Sequence, residues 1–109
     1  MRILDIEPDK LCRKHLLVDH RELHAVWTML TEGKKGHARN PETHRWAGKL
    51  KALYLRHQAL VREMDKRRII HRSDLQKKLA TGNSEQDETI DSLQEQINIL
   101  KKKKCACKV

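Results

Sequence analysis

Apolar residues recur every three or four positions along most of this chain, and strict alternation is scarce. That period belongs to helices with one buried face. Cys12, Leu16, Leu23, Val26 and Leu30 trace one such stripe. Pro8-Asp9 reads as its start and Gly33 as its stop, which predicts a first helix running to about Glu32. Trp46, Leu50, Leu53, Leu60 and Met64 mark a second stripe, with His57 on the same line. Asn40-Pro41 supplies an N-cap and a proline at the first helical position, so this helix is expected to run to about Arg68. Ile90, Leu93, Ile97 and Leu100 fall at i, i+3, i+7 and i+10. They predict a third helix from Asn83 or Ser84, with acidic residues in its first turn and Lys101 to Lys104 in its last.

The segments between are short. Ile3, Leu4 and Ile6 lie too close to the start to be apolar by neglect, and they predict an extended arm docked on the helices. Ser73 caps a turn carrying Leu75 and Leu79, and Thr81-Gly82-Asn83 breaks it. The fold class expected is all-α, a compact bundle of about three helices with a packed N-terminal arm. The two-heptad seam from Ile90 to Leu100 is too short to hold a coiled coil alone. Docking onto the body is favoured over a dimer, so a monomer is expected.

Composition adds a division. The chain has 109 residues and a net charge of +9. Residues 1–82 carry 19 Lys/Arg against 10 Asp/Glu, and residues 83–109 carry 5 against 5. All the excess positive charge therefore sits on a body of residues 1–82, with 83–109 as an amphipathic helix and a basic, cysteine-containing tail. Such a surface gathers polyanions. Three cysteines do not form a disulfide framework, and neither a membrane-length apolar run nor a signal sequence is visible. A cytoplasmic setting is expected, with no membrane partner.

Two sets of residues carry possible chemistry on the first helix. His20 and His24 have the i, i+4 spacing that can chelate zinc. His15, Asp19 and Glu22 are further ligand types, but they lie on another side of the helix and no His-Glu-x-x-His pattern occurs. Cys105-x-Cys107 has no Cys/His pair at finger-like spacing. No metal or other cofactor is expected. The second set is the free N-terminus with Arg21-Glu22. An Arg–Glu neighbour pair on a helix is commonly a weak surface ion pair. Gly33-Lys34-Lys35-Gly36 is a flexible basic loop suited either to phosphate contact or to no contact at all.

Several motifs in order resemble the pyrimidine-dimer DNA glycosylases, the endonuclease V-like family. They are Arg2-Ile3, His15-Leu16-Leu17 and Arg21-Glu22-Leu23 with unbroken spacing, then Lys35-Gly36-His37, Asn40-Pro41 and Arg67-Arg68. The resemblance covers roughly residues 1–75. It implies a helical fold with the N-terminal arm threaded between helices, and double-stranded DNA carrying pyrimidine dimers or abasic sites as substrate. It further implies that the N-terminal α-amine attacks C1′ of the damaged nucleotide, giving an imine and then β-elimination. Met1 would supply the amine and Glu22 the acid/base. Arg21 and His15 would sit at substrate phosphates, with Arg2, His24, Lys34 and Lys35 as further DNA contacts.

Physical chemistry supports those assignments. An α-amine titrates near pH 8, about two units below lysine, so more of it is nucleophilic at neutral pH. A carboxylate can stabilise the iminium and accept the eliminated proton. Departures from the family's phage member are a Met1 retained before the bulky Arg2, Ala25 where that member has arginine, and the lack of its aromatic C-terminal stretch. Two other classes remain open on the residues alone: a basic helical DNA-binding module without catalysis, and a small helical oligomerisation protein built on the Ile90–Leu100 seam.

Overall fold

Helix α1 (Arg13–Thr31), the short α2 (Pro41–Arg45), α3 (Leu50–Lys66) and α4 (Leu93–Lys102) make up this computed structural model. It describes residues 3–33, 40–70, 74–103 and 107–108. The fold is all-α as expected, with one isolated antiparallel bridge, Lys49 to Gly82, among the described residues.

The first helix begins later than its proline suggests. Pro8–Lys10 forms a single 3-10 turn, and Leu11 and Cys12 are extended before α1 starts. That extension turns Leu11 into the core, where it is fully buried. At the other end Gly33 takes φ +60°, a left-handed conformation that glycine adopts without penalty, and α1 stops. Leu16, Leu23, Val26 and Trp27 are its buried residues, joined by Asp19.

The second predicted helix is two helices. Asn40 caps α2 through its Oδ1, which accepts from the Glu42 and Thr43 amides at 3.0 and 3.4 Å. The chain then turns at Trp46–Lys49, with Gly48 at φ +73°. What stabilises the break comes from elsewhere. The first amides of a helix have no partner inside it. In α3 the Lys51 and Ala52 amides donate to the carbonyls of Thr81 and Asn83, at 2.8 and 3.0 Å. The Thr81-Gly82-Asn83 break foreseen in the sequence is therefore the cap of α3. At its far end the Ile69 amide donates to Met64 O at 2.8 Å, and Ile69 is buried.

The third predicted helix starts at Leu93, not near Ser84. Ser92 caps it, accepting from the Glu95 amide at 3.2 Å. Residues 85–88 leave the helical path because α2 and the turn before α3 hold them: Lys49 Nζ lies 2.7 Å from Asp87 Oδ1 and 2.7 Å from Gln86 Oε1, and Arg45 Nη1 donates to Glu88 O at 2.9 Å. The Ile90–Leu100 seam is split accordingly. Leu100 is buried in the common core and Ile97 packs against it, while Ile90 and Leu93 stay about half exposed.

The core lies between α1 and α3. Leu16, Leu23 and Val26 meet Leu53, Leu60 and Met64 there, and Ile3, Ile6 and Leu100 close it. The arm thus packs among α1, α2 and α4. Among the described residues, no helix is long and apolar enough to cross a membrane.

Candidate active site

The arm is held by side chains along its backbone. The Ile3 amide donates to Glu42 Oε1 at 3.1 Å and its carbonyl accepts from Arg45 Nη2 at 2.7 Å. The Leu4 amide donates to Asp19 Oδ1 at 2.7 Å. The Asp5 amide donates to Gln96 Oε1 at 2.8 Å, and Gln96 Nε2 returns a bond to Asp5 Oδ2 at 2.8 Å. An extended strand with no sheet partner would otherwise leave buried amides unpaired. Here α1, α2 and α4 each contribute a polar side chain to prevent that.

Those clamps are themselves buried. Arg45 is 4% exposed and also bonds Glu42 Oε1 at 2.8 Å and Asp5 Oδ1 at 3.2 Å. Burial alone would pull its guanidinium pKa down, but Glu42 and Asp5 hold it above its ordinary value. Asp19 is 1% exposed and pairs with Arg56 Nη2 at 3.0 Å. Burial pushes its carboxyl pKa up, and this outweighs the opposite pull of Arg56 and the Leu4 amide.

Beside the clamped arm lies a pocket of about 210 Å³. His15, Val18, Asp19 and Glu22 from α1 form one wall, Leu4 of the arm another, and Gln96, Ile99, Leu100 and Lys103 of the α4 region a third. The expectation that His15, Asp19 and Glu22 share a helix face holds in the structure. Glu22 is half-buried, and Arg21 next to it is exposed. His15 has a pKa below its ordinary value, because burial and then the charges of Lys103 and Lys14 disfavour the imidazolium. Two carboxyl groups, an imidazole and a lysine amine therefore face a partly apolar cleft. That arrangement can exchange protons and hold an anion.

Met1, Arg2, Lys34 and Lys35 lie outside the described residues. His24 does not join the Glu22 pocket. Its Nε2 lies 3.3 Å from His20 Nε2 and 3.1 Å from His57 Nε2, on the α3 side of α1. A second cluster joins the chain's two ends: His15 Nδ1 is 3.2 Å from Cys12 Sγ and 3.0 Å from Cys107 Sγ, and the Cys12 amide donates to Cys107 Sγ at 3.1 Å. Both clusters have donor atoms close enough for one metal ion.

Sequence reasoning had the Glu22 face but not its surroundings. Glu42, Arg45 and Gln96 as arm clamps, His57 beside His20 and His24, and Cys107 beside Cys12 and His15 all depend on contacts between remote segments. No spacing rule reaches across such separations.

No curated protein and no solved structure gives a significant match to this chain. A family model does: that of pyrimidine dimer DNA glycosylase, over residues 1–77. The match takes in the arm, α1, α2 and α3, and leaves the α4 wall outside it. Over that span, which is most of its length, the chain belongs to the pyrimidine dimer DNA glycosylase family.

Proposed function

We propose that this chain is a glycosylase with AP-lyase activity on duplex DNA carrying cyclobutane pyrimidine dimers or abasic sites, with the α-amine of Met1 as nucleophile and Glu22 as acid/base. One observation carries the reading. Glu22 lines the same pocket as Leu4, and the arm is fixed at Ile3 and Leu4 by hydrogen bonds to the buried Glu42 and Asp19. The reading requires that the amine of Met1, two residues before the clamp at Ile3 and so within about 7 Å of chain, reach that pocket.

The amine nitrogen bonds to C1′ as the bond from C1′ to the base breaks, and the base leaves with its electron pair. The sugar ring opens to an imine, with the proton lost by nitrogen passing to the ring oxygen. Glu22 as carboxylate stabilises the cationic iminium. It then accepts a proton from C2′, and the 3′ phosphate leaves from C3′. Water hydrolyses the imine and frees the enzyme. Arg21, exposed next to Glu22, is assigned to a substrate phosphate, with Arg2, Lys34 and Lys35 assigned the same task. His15 Nδ1 sits against two sulfurs, so a phosphate contact from His15 falls to Nε2. No step draws on a metal or an organic cofactor. The basic body of residues 1–82 brings the duplex in by charge.

Borohydride reduction during turnover tests the nucleophile. A covalent adduct of DNA with the N-terminal residue is expected, and none when that amine is acetylated. An unblocked chain that binds lesion DNA and gives no adduct is a DNA-binding module without this chemistry. Glu22→Gln should keep DNA binding and lose strand cleavage by a factor of at least about 100. Cleavage at the parent rate would remove Glu22 from the mechanism.

A further inference from the structure

Three imidazoles converge where α1 meets α3, on the side of α1 away from Glu22. His20 and His24 stand one turn apart on α1, and His57 projects from α3. Their Nε2 atoms form a triangle with edges of 3.2, 3.3 and 3.1 Å. His57 is fully buried, and His20 and His24 are half-buried.

Hydrogen bonding alone does not account for such a triangle. A neutral imidazole carries its proton on one nitrogen, and a protonated Nε2 has no in-plane lone pair with which to accept. His57 Nδ1 lies 2.8 Å from Gln58 Oε1. With the amide oxygen facing the ring, Nδ1 carries the proton and the Nε2 of His57 presents a lone pair. If one of His20 and His24 donates to it, the other either aims a second lone pair into the triangle or competes with a second hydrogen. Every assignment leaves a close nitrogen pair with no well-formed bond between them. Protonating a ring adds a buried charge and no acceptor.

A single cation at the centre resolves this, since all three lone pairs then point at it. Zinc binds histidine nitrogen at about 2.0–2.1 Å. Tetrahedral geometry at that bond length puts ligand nitrogens about 3.3–3.4 Å apart. The observed edges are close to that spacing. The Gln58 contact is the kind of outer partner that fixes the tautomer of a metal-bound histidine. We propose that His20, His24 and His57 bind one divalent transition-metal ion of the zinc class, three neutral imidazoles leaving a fourth coordination position. The ion clamps α1 to α3. Glu22 lies about 160° around α1 from both helix-borne ligands, at 100° per residue, so the ion positions the helix that carries Glu22 and does not join its pocket.

The site is tested on untagged full-length protein without DNA, so the result is independent of the lyase reading. Metal is removed with chelator and Co²⁺ added, then Zn²⁺ in competition. The expected result is one equivalent of Co²⁺ giving the visible bands of a four-coordinate nitrogen/oxygen site. Those bands should be lost in His24→Gln, a half-buried position where folding is retained, and should persist in the Cys12→Ser/Cys107→Ser double variant. Gln58→Ala should weaken binding about 10- to 100-fold. No Co²⁺ or Zn²⁺ binding beyond that of His24→Gln overturns the proposal. So do bands that vanish with the cysteines and carry thiolate-to-metal charge transfer.

Discussion

Arg45 is the residue on which the arm's position most depends. Its guanidinium bonds Ile3 O at 2.7 Å, Glu42 Oε1 at 2.8 Å, Glu88 O at 2.9 Å and Asp5 Oδ1 at 3.2 Å, and it lies 4.9 Å from the centre of the Trp46 ring. Arg45→Met keeps much of the aliphatic bulk and removes every one of these bonds. Among the described residues, Glu42 then becomes a buried carboxylate facing the Ile3 amide at 3.1 Å and Trp46 Nε1 at 3.1 Å. Removing one partner of a buried pair costs about 3–5 kcal/mol, chiefly for the charge left behind. In a domain of this size that lowers Tm by roughly 12–20 °C. If the orphaned charge is the cause, neutralising it first should relieve the loss. Glu42→Gln retains an acceptor for the Ile3 and Trp46 donors, so Arg45→Met should cost about 2 kcal/mol less in the Glu42→Gln background. Urea unfolding followed by far-UV circular dichroism reads all four proteins of the cycle and avoids the Trp46 signal, which the change itself perturbs. A single-variant loss below about 1 kcal/mol would refute the reasoning, and so would additivity within about 0.5 kcal/mol.

Asp19 sets a pH dependence whose sign follows from its raised carboxyl pKa. The folded chain holds this proton more tightly than the unfolded chain. The resulting stability is fully present below the unfolded value of about 3.9 and is lost as pH rises through the folded value. Urea midpoints at a series of pH values should therefore show the parent losing ground to Asp19→Asn as pH rises, and the opposite trend would mean that Arg56 outweighs burial. His15 has the reverse linkage: its pKa is lowered by burial, then by Lys103 and Lys14, so its contribution is present above the unfolded histidine value and is lost as pH falls through the lower folded value. In an NMR titration Lys103→Gln should move the His15 midpoint upward without restoring it fully, because burial remains; no movement would place Lys103 too far away to act. Gly82→Ala should destabilise by about 1–3 kcal/mol, since φ is +83° and a Cβ there would overlap the Gly48 carbonyl. Gly33→Ala, at φ +60° with nothing near the added carbon, should cost less in the same denaturation assay.

Much of the scaffold was legible because its causes are local. The stop at Gly33, the Asn40 cap and the apolar stripes of α1 and α3 each arise within a turn or two of sequence. So does the shared face of His15, Asp19 and Glu22, which follows from a 3.6-residue repeat. The misplaced boundaries have a common origin in tertiary contacts. Trp46–Lys49 reads as helix until Thr81 and Asn83 arrive to cap Lys51 and Ala52. The pattern predicts a third helix from Asn83 or Ser84, and Lys49 overrides that start by holding Asp87. The same holds for the chemistry. His20 and His24 have a chelating spacing, but only packing supplies His57.

The meeting of residues 107–108 with the start of α1 bears on how the molecule comes into being. Lys108 N–H donates to Lys10 O at 2.7 Å, and Cys107 reaches Cys12 across 95 positions of sequence. At about 5–20 residues per second of synthesis, roughly 5–20 s pass between the making of one partner and the other. During that interval the Asp5 amide waits for Gln96 and the His15–Glu22 face has no opposite wall. Contacts this distant in sequence also form late in refolding, since the chain must close its longest loops to make them. Among the described residues, the cleft is therefore expected to close after the contacts between α1 and α3.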